Sequence, residues 1–108
     1  MSPQARYVTR LLEAYQQLPG TLGRVLRQDR KAALDFYRQG VTLDVVHSAF
    51  VLALARRAFR TGDDNLEPIR CLSYFAPVVE ELIQEPPLPE YLDYLRSKLV
   101  TAGLLQSA

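Results

Sequence analysis

The 108-residue chain contains no tryptophan, one histidine and one cysteine. The lone thiol, Cys71, excludes an internal disulfide framework and fits a reducing compartment, so the expected location is the cytoplasm. His47 and Cys71 together leave only carboxylates to complete a metal site. No HExxH, CxxC pair, glycine-rich phosphate loop or GxSxG elbow is present. Asp63-Asp64-Asn65 lacks the alternating oxygen ligands and distal glutamate of a calcium loop. The expectation is a chain with no catalytic residues, metal, cofactor or small-molecule substrate. Long apolar runs are missing as well. Ala49–Ala55 (AFVLALA) is the longest at seven residues, against the roughly 20 that a membrane helix needs. The opening MSPQARYVTR has no apolar core, so neither a signal peptide nor a membrane partner is expected.

Three isolated groups have a bland and a sharp reading. His47 lies one turn into an apolar helix and suits packing better than catalysis. Cys71 follows Arg70 at a helix start, which would lower a thiol pKa, yet such a cysteine commonly acts as a small core hydrophobe. Glu81 and Glu85 share a helix face and read as a solvated acidic surface rather than a catalytic pair.

Abundant apolar residues (48%) with 23% charged residues are the composition of one ordinary globular domain spanning residues 1–108. Helix punctuation is legible throughout. Ser2-Pro3 reads as a cap followed by a first-turn proline, opening an amphipathic stripe of Tyr7, Val8, Leu11, Leu12, Tyr15 and Leu18 that Pro19-Gly20 stops. Thr21 is a candidate cap for the next segment and Asp29 a second one, opening Arg30–Gln39 with Gly40 at its end. Gly23 leaves open whether 21–39 is one helix or a turn and a helix. Thr42 caps a helix from Leu43 to Arg60 that is apolar on all sides, hence the buried central helix, and Gly62 ends it. Pro68 is expected to open a helical segment carrying Ile69, Leu72 and Phe75, which Pro77 breaks or kinks, with Ser73 an alternative cap. Pro89 starts the last helix and Gly103 terminates it. With no strand pattern, the fold class is all-α: a compact bundle of five to six helices.

The net charge of +1 hides a division. Residues 1–60 carry ten basic and four acidic side chains, and residues 61–108 three basic and eight acidic, balances of +6 and −5. Such polarity points to a basic surface for nucleic acid or to halves that attract each other. Eleven of the thirteen basic residues are arginine, the type suited to bidentate phosphate contacts. A GC-rich codon bias yields the same enrichment without any partner. Arg24, Arg27, Arg30 and Lys31 fall at i, i+3, i+6 and i+7, along one side of a helical backbone. Arg56, Arg57 and Arg60 close the central helix, where its dipole already favours them by roughly 0.3–1 kcal/mol each. If the two helices are antiparallel neighbours, these seven residues form one phosphate-binding patch. The competing class is a protein-interaction adaptor, or a self-associating subunit, using the acidic C-terminal half with Tyr74, Tyr91 and Tyr94.

Residues 35–50, DFYRQGVTLDVVHSAF, resemble a helix-turn-helix, although the second helix is apolar where base-reading side chains belong and only Asp44, His47 and Ser48 are polar. The stretch Gly40-Val41-Thr42-Leu43-Asp44-Val45-Val46-His47-Ser48-Ala49 resembles the small helical modules of DnaD-like primosome and replication-initiation proteins. EPIRCLSYFAPVVEEL, residues 67–82, is similar to short helical proteins of bacterial mobile elements. Together these resemblances imply a non-enzymatic accessory role around DNA replication or transposition.

Overall fold

In the computed structural model, which describes residues 1–59 and 67–105, Ser2 Oγ accepts the Ala5 N–H at 3.1 Å and starts α1 (Pro3–Gln16). Pro3 loses nothing there, because the first-turn N–H groups have no helical acceptor. The helix stops at Gln16, ahead of Pro19. Thr21 does not cap a helix: its hydroxyl donates to the Leu18 carbonyl at 2.9 Å, and its backbone forms an isolated parallel bridge with Ile69. Gly23, at φ +74°, holds the chain in the left-handed region and keeps 21–26 irregular.

The second helix, α2 (Arg27–Arg38), begins earlier than expected, and Asp29 lies inside its first turn rather than at its cap. Its carboxylate turns inward and is 1% exposed. Oδ2 accepts the Leu26 N–H and Oδ1 the Leu72 N–H, each at 2.9 Å. One buried side chain thus closes the start of α2 and ties it to a segment 43 residues away. At the other end Gly40 adopts φ +78°, and the Val41 and Gly40 N–H groups donate to the Phe36 and Tyr37 carbonyls, both at 3.0 Å. That pattern is a Schellman turn, and it needs a residue without a Cβ penalty at Gly40.

Thr42 Oγ1 accepts the Val45 N–H at 3.2 Å and opens α3 (Leu43–Phe59). Val46 and the unbroken run Ala49–Ala55 are buried, as the all-round apolar pattern requires. Arg60 and Gly62 lie outside the described residues. Pro68 opens no helix: Glu67–Cys71 run extended because the Ile69 N–H donates to the Gly20 carbonyl at 2.7 Å and Asp29 holds the Leu72 N–H. A 3-10 turn (Leu72–Phe75) leads directly into α4 (Ala76–Gln84). Ser73 therefore sits within the turn instead of capping, and Pro77 falls in the first turn of α4, where it breaks nothing. After Pro86-Pro87 comes α5 (Pro89–Thr101), closed by a turn at Gly103 in which the Leu104 N–H donates to the Leu99 carbonyl at 2.8 Å.

Central α3 packs against α4, α5 and α1, while α2 lies on α1 and the 3-10 turn. Phe75, fully buried, joins the layers. Its ring meets Phe50 at 4.7 Å and Tyr15 at 6.3 Å, both edge-to-face. The radius of gyration, 13.6 Å, is close to the roughly 13 Å of a single folded unit of this length. The all-α bundle with a buried central helix is thus observed: five helices and one 3-10 turn among the described residues, with no strand. None of those helices is long and apolar enough to cross a membrane.

Candidate nucleic-acid interface

Helical geometry decides which cations share a face. At 3.6 residues per turn, Arg27, Lys31 and Arg38 project within a sector of about 40°, with Arg30 on its flank. All four are exposed, and none forms an ion pair among the described residues. Arg24 is exposed too, but it precedes α2 in the irregular segment, so the row expected at i, i+3, i+6 and i+7 starts only at Arg27. Arg38 belongs to the face, and the sequence pattern did not single it out. Its position seven residues after Lys31 carries the signal, which is readable only once the true start of α2 is known. The Asp29 carboxylate already occupies the positive end of the α2 dipole, so the attraction for anions rests on the side chains.

The arginines closing α3 are placed differently from expectation. α2 rests on α1 and the 3-10 turn rather than on α3, so among the described residues Arg56 and Arg57 do not extend the α2 row. Arg56 makes a bidentate pair with Glu81 across to α4, at 2.7 and 2.5 Å. The hydrogen bonds to Glu81 raise the Arg56 pKa further and hold the guanidinium charged. Arg57 donates to the Glu67 carbonyl, and its guanidinium lies beside Gly20, stapling the return of the chain. Arg60 lies outside the described residues. Arg56 and Arg57 are therefore structural ties between elements.

The three tyrosines are exposed, Tyr74 by 43%, Tyr91 by 45% and Tyr94 by 57%. Tyr74 stands on the 3-10 turn, packed edge-on against Phe75 at 5.1 Å. Tyr91 and Tyr94 share a cleft of about 190 Å³ between α3 and α5 with Phe59, Arg56 and Lys98. The Lys98 ammonium lies 4.5 Å from the Phe59 ring centroid and 5.6 Å from that of Tyr94. Lys98 is spaced with Tyr91 and Tyr94 on α5, as the sequence suggests, whereas Phe59 was not singled out, because it reaches this cleft from α3.

His47 is half-buried 6.2 Å from the Phe50 ring, and Cys71 is a partly buried free thiol. Glu81 is engaged by Arg56, and Glu85 is exposed. Among the described residues no three His, Cys, Asp or Glu side chains gather as a metal site requires. The helix-turn-helix connectivity exists through Gly40–Thr42; α3 is buried from Ala49 to Ala55, and at its start Asp44 is exposed while His47 and Ser48 are partly buried. No protein-family model, curated protein or solved structure matches this chain.

Proposed function

We propose that this chain is a non-enzymatic nucleic-acid-binding accessory protein that holds phosphates on the outer face of α2. The observation that carries the reading is the set Arg27, Arg30, Lys31 and Arg38, exposed and without acidic partners among the described residues, with Arg24 just ahead of them. Arginine- and lysine-rich faces of this kind bind the backbone through counterion release, which is independent of base sequence and strongly salt-dependent. The resemblance of residues 40–49 to replication modules points the same way. Arg56 and Arg57 leave the phosphate set, since their guanidinium groups serve Glu81 and the Glu67 carbonyl.

The test is fluorescence anisotropy with labelled single- and double-stranded DNA and RNA over a salt series. Binding at low salt that weakens when Arg27 and Lys31 become alanine is the expected result. No binding to any of these at low salt overturns the reading. The exposed tyrosines favour a second reading, a protein-interaction adaptor, which that outcome would leave in place.

A further inference from the structure

The outer face of α5 is unclaimed by the phosphate-binding reading. α5 packs on α3 through Leu95 and Leu99, and Glu90, Tyr91, Tyr94, Ser97 and Lys98 are all exposed, with Tyr91, Tyr94 and Lys98 along the edge of the cleft shared with α3. The order of charge along that face is informative. Glu90 and Lys98 lie four residues before and four residues after Tyr94, so all three stand in one row about 12 Å long. Within one copy Glu90 and Lys98 are more than a turn apart, and the Lys98 ammonium rests over the Phe59 and Tyr94 rings instead.

A row that reads acid, aromatic, base is complementary to itself when reversed. We propose that the outer face of α5 is the interface of a two-fold symmetric dimer, in which α5 of a second copy of this chain docks antiparallel across Tyr94. Two-fold closure places each Glu90 opposite the partner's Lys98, twice, with the two Tyr94 rings meeting at the axis. Phe59 and Tyr91 flank that centre and add exposed ring area, 41% and 45%. Aromatic residues at the middle and charges at the rim are the common anatomy of such interfaces. A parallel arrangement sets Glu90 against Glu90 and Lys98 against Lys98, and is disfavoured by like charge. One helix face is a small interface, so the dimer is weak and salt-sensitive.

The assignment does not depend on nucleic acid, and its test contains none. Sedimentation velocity of the whole chain at low salt, over a wide concentration range, is expected to show a monomer–dimer equilibrium. Glu90→Lys and Lys98→Glu each bring like charges together and abolish the dimer. Mixing the two variants restores a 1:1 heterodimer. There the introduced lysine faces the introduced glutamate, and the native Lys98 of one copy faces the native Glu90 of the other. The same exchange in one chain, Glu90→Lys with Lys98→Glu, restores the homodimer. Both positions are on the solvent side, so circular dichroism should show an unchanged fold. A wild-type chain that stays monomeric, variants that dimerise like wild type, or a mixture that fails to pair overturns the proposal.

Discussion

Asp29 carries more of this structure than any other polar residue described. Its two oxygens satisfy two backbone N–H groups, one local and one 43 residues away, from a position 1% exposed. Replacing it with alanine strands both donors in the interior. Asp29→Ala should lower stability by about 3 kcal/mol, and Asp29→Asn, which keeps a single acceptor oxygen, by about half that, as measured by denaturant unfolding. Two tyrosines offer a contrast. The Tyr7 hydroxyl donates to the Val41 carbonyl at 2.7 Å, whereas the Tyr15 hydroxyl, in a residue 1% exposed, has no hydrogen-bond partner among the described residues. Tyr7→Phe should cost about 1 kcal/mol, while Tyr15→Phe should be neutral or stabilising. A fall in melting temperature for Tyr15→Phe comparable to that for Tyr7→Phe would contradict this. Burial raises both phenols from 10.0 to about 12. The unfolded chain therefore releases these protons near pH 10 while the folded chain retains them. Their contribution is intact below pH 10 and lost as pH climbs toward 12, which far-ultraviolet circular dichroism across an alkaline titration should show.

At the scale of elements, α2 and the end of α3 look alike in sequence and differ in role. Both are arginine-rich. The α3 arginines meet Glu81 and the Glu67 carbonyl, because α4 and the returning chain pass beside them. The α2 cations form no ion pair among the described residues: α2 packs on α1 and the 3-10 turn through its apolar side, and Asp35, one turn after Lys31 on α2 itself, is not within ion-pair distance of them. Arg56→Ala should therefore cost up to about 1 kcal/mol of stability, as a partly exposed pair does, and leave nucleic-acid affinity unchanged. Arg27→Ala should do the reverse. Parallel thermal unfolding and anisotropy on the two variants check both halves of that statement. Phe75 links the elements, touching rings from α1 and α3, and Phe75→Ala should cost roughly 3–5 kcal/mol.

For the whole molecule, the +6 and −5 balances of the two segments matter more than the net charge. α2 sets four cations in one exposed strip spanning about 16 Å. If each neutralises one phosphate of duplex DNA, the logarithm of affinity should fall against the logarithm of salt concentration with a slope of about −4. Each cation removed should reduce that slope by about 1. A slope near zero would mean that binding, if seen, does not use this strip.

Much of the fold was legible in the residue order, and the reasons are local. Caps at Ser2 and Thr42, first-turn prolines at Pro3 and Pro89, and left-handed glycines at Gly40 and Gly103 act within one helical turn. The apolar surround of α3 announces burial whatever covers it. What misled was long-range. Pro68 and Ser73 read as helix starts, yet Gly20 and Asp29, from the other end of the chain, hold the Ile69 and Leu72 N–H groups, and Ser73 falls inside the 3-10 turn that follows. Pro77 read as a break, yet the 3-10 turn places it where a proline costs nothing. The candidate site divides the same way. The sequence by itself determined an all-helical chain with cations in one half and acids with tyrosines in the other, because spacing and charge are properties of residue order. Only the tertiary structure decided which cations meet acids, which stay exposed on α2, and which rings gather beside Lys98. Those outcomes depend on which helices lie side by side, and that is settled by the shared core.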